Sequence, residues 1–211
     1  MKKLIACLTV TFIIILAFAK YNQVLNNNPE PKKNDSAEFY RLLTFNDKNE
    51  LMVVKIKGTD FWVTPGLYSD EKKSINKKSI NKQLQALSAD YGLITSQPEL
   101  HGKFILKAKN NNKSYNRYFY RVNVKSGKVK MPKIIGQIKW LPIDEAIQII
   151  TFPHIKQLIQ QITDYPETVW GGTILRYKEE GQLKAKMLEK FYPIKQNEKG
   201  KAGIVSPLDA N

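Results

Sequence analysis

From His101 to Ile143 the chain carries Lys103, Lys107, Lys109, Lys113, Arg117, Arg121, Lys125, Lys128, Lys130, Lys133 and Lys139, and not one aspartate or glutamate. A stretch of that kind attracts phosphates and carboxylates and repels divalent cations. Lys103, Lys107, Arg117 and Arg121 are the anion-binding candidates, since they belong to two strand-like segments that read as one hairpin. Carboxylates that could hold a metal are scarce. Asp70, Glu71 and Asp90 form a candidate set for one ion only if the loop before the long helix folds back on that helix. His101 and His154, the only histidines, lie in unrelated segments and suggest neither a metal pair nor a catalytic dyad. Cys7 is the only cysteine, which excludes thiolate metal sites and a disulfide framework, and no phosphate-cradling GxxxxGK[ST] loop is present.

The elements that must position these residues follow from pattern. FYRLLTF and LMVVKIK are two strand-like runs separated by NDKNE, a hairpin signature, and FWVT leads to the breaker Pro65-Gly66. Between Ser74 and Leu93 the apolar residues Ile80, Leu84 and Leu87 recur at helical spacing, and Gly92 stands where a helix C-terminal glycine belongs. HGKFILKA and YNRYFYRVNV make a second hairpin, the latter with Tyr118, Tyr120, Val122 and Val124 on one face and Arg117 and Arg121 on the other. IIGQIKW is a further strand, followed by a short helix beginning near Asp144 and another from His154 to Ile162. The mixture is α+β, a sheet with helices packed against it. Beyond Asp164, WGGTI reads as loop, Leu175 to Phe191 as a charged helix, and KQNEKGKAGIVSPLDAN as a largely disordered tail.

The 211 residues carry 34 Lys+Arg against 19 Asp+Glu, a net charge of +15. Affinity for phosphates, nucleic acid or anionic lipid accounts for such a surplus, and so does a plain compositional bias toward Lys, Asn and Ile. Lys2 and Lys3 precede a charge-free, mostly apolar run from Leu4 to Ala19 that ends Ala17-Phe18-Ala19, the small-x-small pattern of a signal-peptidase site. The run is short of the roughly 20 apolar residues a bilayer core requires. Two outcomes stay open: cleavage after Ala19, or retention of residues 4–19 as an anchor in the inner membrane. Both place the remainder in the periplasm or another extracytoplasmic space. A lipoprotein signal at Cys7 is disfavoured because the apolar stretch follows that cysteine rather than preceding it. Residues 20–37 are polar, with an Asn run and two prolines, and read as a flexible linker.

The order of strand hairpin, Trp62-Val63-Thr64-Pro65-Gly66, long helix closing on Gly92-Leu93, second hairpin, and Lys139-Trp140-Leu141-Pro142-Ile143-Asp144-Glu145-Ala146 resembles the Nudix hydrolase family, and Phe152-Pro153-His154-Ile155 resembles that family's closing helix. The resemblance implies a Nudix-like mixed β-sheet packed between α-helices over residues 38–163, preceded by the signal or anchor of residues 1–19 and the linker. The segment 164–211 follows as a C-terminal helical extension. It also implies a box whose helix ends Arg-Glu-hydrophobic-any-Glu-Glu-any-Gly-hydrophobic, with carboxylates one turn apart on one face holding Mg²⁺ against a diphosphate. Counting back from Gly92 puts Gln85 at the box arginine, Ala86 and Ala89 at two of the glutamates, and Asp90 at the third. The earlier box glutamate falls among Lys72 and Lys73, and Leu67 replaces the second glycine of the family's Pro-Gly-Gly. Residues 72–81 repeat KKSIN twice. Counted from Gly66 the box is too long by one copy, counted from Leu67 by one residue less, and both alignments stand open.

Taken with the N-terminal export signal and the departures from the box, the resemblance implies an exported relative of pyrophosphohydrolases of nucleoside-diphosphate-linked compounds, catalytically impaired, with no cofactor expected and an anionic, phosphate-containing ligand or partner. One alternative is an active, divergent Mg²⁺-dependent hydrolase using Asp90 with Asp70 or Glu71. Another is a basic surface module for anionic lipid or nucleic acid, although no specific nucleic-acid recognition motif is evident.

Overall fold

The computed structural model describes residues 38–68, 77–109 and 111–194. The signal or anchor, the linker, Asp70, Glu71, Lys72, Lys73, the first KKSIN copy and the tail after Ile194 lie outside the described residues.

Strand β1 (Phe39–Phe45) and β2 (Leu51–Ile56) form the first hairpin, with Phe45 opposite Leu51. Its turn is held by Asn46, whose Oδ1 accepts the backbone N–H groups of Lys48 and Glu50 at 3.0 and 2.9 Å. Asx turns of this kind are why asparagine favours such loops. Short strands β3 (Trp62–Val63) and β4 (Gly66–Tyr68) pair with β2 and β1.

Helix α1 (Lys77–Asp90) starts with the second KKSIN copy. Ile80, Leu84 and Ser88 recur on its buried face, and Ile80 and Leu84 pack on Tyr40, Leu42, Tyr120 and Val122. The helix stops at Gly92, which holds φ at +74°, and a Cβ there would lie 2.2 Å from the Lys128 carbonyl oxygen. Both the left-handed backbone and the close approach require glycine.

Strands β5 (Leu93–Thr95), β6 (Glu99–Ala108), β7 (Asn111–Gly127) and β8 (Ile135–Leu141) follow, then α2 (Ile143–Ile149) and α3 (Pro153–Asp164). Proline at the first position of α3 costs no hydrogen bond, because that N–H has no helical acceptor. The other face of β1, through Leu43 and Phe45, joins Phe104, Leu106 and Phe119 beneath Ile155, Leu158, Ile159 and Ile162 of α3. Strand alternation thus divides β1 between two cores.

The C-terminal segment departs from expectation. Trp170–Glu179 is strand β9 and Gln182–Pro193 is strand β10, where a loop and a charged helix were expected. Lysine and glutamate content suggests a helix, but Leu183, Ala185 and Met187 alternate with Lys184 and Lys186 at the period of a strand. Glu180 and Gly181, at φ 49° and 78°, form a tip with both central residues in the left-handed region, as a tight hairpin requires. Gly171 serves the strand by being small, since a Cβ there would lie 2.4 Å from the Tyr192 ring. β9 pairs in parallel with β6, giving the order β10-β9-β6-β7-β1-β2-β3, with β4 on β1, β5 on β7 and β8 on β2. The sheet is mixed, with β1 and β7 also parallel and the remaining pairs antiparallel. No helix among the described residues is long and apolar enough to cross a membrane.

Candidate functional site

With Leu84 and Ser88 turned into the core, the geometry of α1 leaves Ala86, Ala89 and Asp90 exposed together, and Gln85 half-buried beside them. Ser88 fixes the rotation: its hydroxyl donates to the Leu84 carbonyl at 3.2 Å and accepts from Thr95 Oγ1 at 3.4 Å. Ala86, Ala89 and Asp90 thus share one exposed face of α1. It presents two methyl groups and one carboxylate. A hard divalent ion takes several oxygen ligands, and this face offers those of Asp90 alone, so the residues present do not fit the Mg²⁺ that such a helix would hold. Among the described residues no group of three or more His, Cys, Asp and Glu is arranged to hold a metal. At the end of the helix the Lys130 backbone N–H donates to the Tyr91 carbonyl, which places the basic β7–β8 loop against Asp90 and its neighbours.

The four anion-binding candidates are not brought together. Cross-strand register places Lys103 opposite Tyr118 and Lys107 opposite Ser114, whereas Arg117 lies opposite Phe104, on the other face of the sheet. Arg117 is largely withdrawn from solvent, its guanidinium 5.7 Å from the Phe39 ring and 5.3 Å from that of Tyr115, and burial pulls it down to about 10. Arg121 lies 4.1 Å from the Phe45 ring and donates to Asn49 Oδ1 at 3.2 Å. Lys103 and Lys107 remain on the opposite surface.

Two polar residues in the core were not among the sequence candidates. Arg41 is buried between Phe39 and Phe119, at 5.0 and 5.9 Å from their rings. Its Nη1 donates to Thr64 O at 2.7 Å and to Thr64 Oγ1 at 3.1 Å. Loss of hydration, and secondarily the charge of Arg117, lowers it to about 9. His154, at the start of α3, is pushed down to about 3 by burial and then by Arg41, Arg176 and Arg117. It is neutral at physiological pH. The available signal was position: in FYRLLTF, Arg41 alternates in phase with Leu43 and Phe45, which face the core beneath α3.

On the other face, Tyr40 and Tyr118 stack at 4.8 Å, and both donate to Glu38, at 2.5 and 2.9 Å. Burial, followed by the Glu38 bond, raises both hydroxyls well above the usual tyrosine range. Trp62 and Trp140 are partly buried against the cores. Two open clefts, of about 400 and 320 Å³, lie elsewhere, one at Tyr165, Trp170 and Phe191 and one at the Lys55–Asp60 turn.

No protein-family model matches the sequence, and no curated protein is significantly similar to it. Solved structures do match. The mutator MutT protein of Bacillus halodurans aligns over 72% of this chain and 97% of its own, at 14% identity and a TM-score of 0.54. The NUDIX domain of Shewanella oneidensis NrtR, solved with ADP ribose, aligns over 68% of this chain and 96% of its own, at 14% identity and a TM-score of 0.50. The chain has the Nudix fold. At such identity the likeness concerns the fold and not the activity.

Proposed function

We propose that this chain is an exported Nudix-fold protein that has lost hydrolysis and acts by binding an anionic ligand or partner. The observation that carries this reading is the exposed face of α1, where the residues that the Nudix resemblance aligns with two Mg²⁺-seating glutamates are Ala86 and Ala89. Without that ion α1 supplies neither a divalent charge bridging a diphosphate nor the means to lower the pKa of an attacking water. The net charge of +15 supports an anionic partner, and the Lys2-Lys3 start followed by the apolar run of residues 4–19 supports export. The test is to incubate the purified chain with Mg²⁺ or Mn²⁺ and a panel of nucleoside-diphosphate-linked compounds. Turnover at the buffer rate is expected. Metal-dependent hydrolysis that disappears in Asp90→Asn would overturn the reading in favour of a divergent hydrolase.

A further inference from the structure

The sheet is covered unevenly. Beneath α3, Phe104, Leu106 and Ile174 are fully buried, while on the opposite face Leu100, at the start of β6, packs with the α1 core and, further along, Ile105, Lys107, Lys109 and Lys186 are exposed. Register assigns its occupants. Lys107, Leu175 and Lys186 are aligned across the three strands, as are Tyr177 and Lys184, with Lys109 placing its ammonium 5.9 Å from the Tyr177 ring. Lys103 lies further along β6, its ammonium 5.9 Å from the Tyr118 ring. The acids on this face are engaged: Glu179 pairs with Lys184, and Glu189 accepts from Thr173 Oγ1 at 2.8 Å. The result is a three-stranded surface of five lysines around an apolar centre, where Ile105 is 37% exposed.

We infer that this face docks on an anionic phospholipid surface. The inference rests on the reading that the chain leaves the cytoplasm, and it adds the partner and the surface. Lysine ammonium groups reach phosphates while their stems cover apolar area, and an apolar centre ringed by lysines suits a headgroup layer. Glu38 also lies on this face, and its carboxylate accepts from Tyr118 and Asn116 at 2.9 and 3.5 Å, so it is engaged like the other acids. A nucleic acid fits less well. Its bases require free aromatic faces, and here Tyr118 is stacked on Tyr40 and Tyr177 lies under Lys109.

The experiment uses the full chain on vesicles of phosphatidylcholine alone or with phosphatidylglycerol, and reads lysine acetylation residue by residue. Lys103, Lys107 and Lys186 should label several-fold more slowly on the phosphatidylglycerol vesicles, with Lys48 and Lys130 unchanged. Phosphatidylcholine alone reports any insertion through residues 4–19, which is independent of charge. Replacing Lys103, Lys107 and Lys186 together by Gln should weaken the phosphatidylglycerol-dependent association by about a hundredfold, since each lysine near such a surface contributes about fivefold. The charge-matched triple Lys128→Gln, Lys130→Gln, Lys133→Gln should change it far less. Uniform labelling, or equal loss in both triples, would overturn the docking face. So would protection of the same lysines by an oligonucleotide and not by vesicles. Metal-dependent turnover would overturn the proposed loss of hydrolysis and leave this face standing.

Discussion

The two faces of the sheet treat positive charge in opposite ways. Toward α3, Arg41 and Arg117 are withdrawn between aromatic rings, and the neighbouring His154 gives up its proton. On the opposite face of β6, β9 and β10, Lys107, Lys109 and Lys186 are exposed. A buried cation is a cost that ring faces and hydrogen bonds only partly offset, whereas a hydrated one is available to a partner. The contrast teaches that cations adjacent in sequence share a function only where the strand faces and the helices above them allow it.

The comparison breaks most forcefully at Phe119, which forms one wall of the Arg41 slot and is buried in the core. Phe119→Ala should cost about 3–5 kcal/mol in urea unfolding, from lost burial and the cavity left behind. A loss under about 1 kcal/mol would show that the slot collapses freely.

The next effect is in pH. His154 titrates near 6.5 when unfolded and at about 3 when folded. Between those values the unfolded chain takes up a proton that the folded chain refuses, so the stability present above pH 6.5 is lost progressively as pH falls. From pH 7 to pH 5 the loss should be about 2 kcal/mol, and His154→Gln should remove this share of the slope. Burial lowers His101 as well, which adds a smaller effect of the same sign. Arg41→Met sharpens the point, because removing that guanidinium should raise the His154 pKa as read from its imidazole resonances. An unchanged titration would mean that Arg41 adds nothing to burial and the charges of Arg176 and Arg117.

A smaller effect is expected on α1. Ala86→Glu with Ala89→Glu should cost at most about 1 kcal/mol, since both positions are exposed and the penalty is that of negative charge near a helix C-terminus. Calorimetry should then detect Mg²⁺ binding absent from the parent chain. The smallest change belongs to the lysine face, where each Lys→Gln replacement at 103, 107 or 186 should shift stability by no more than about 0.5 kcal/mol.

Much of this was legible in the chain itself. The first hairpin announced itself through NDKNE, α1 through Ile80, Leu84, Leu87 and the terminal Gly92, and α3 through Pro153 and the apolar spacing after it. The β9–β10 hairpin did not. Its helix-like composition hides an alternation that matters only because β6, far away in sequence, offers a parallel edge. The candidate site was legible where it depends on residue type and spacing within one helix, as for Ala86, Ala89 and Asp90. It was legible in part for Arg41, through its phase in β1, and illegible for His154, whose loss of charge requires β1 and the start of α3 to meet.

The sequence by itself determined how many carboxylates α1 can present, because spacing along one helix fixes which residues share a face. Only the tertiary structure decided which cations are buried and which are free. Alternation sends successive side chains to opposite sides of a strand, but which side receives a helix is settled by contacts between distant segments, where burying apolar surface outweighs any local preference.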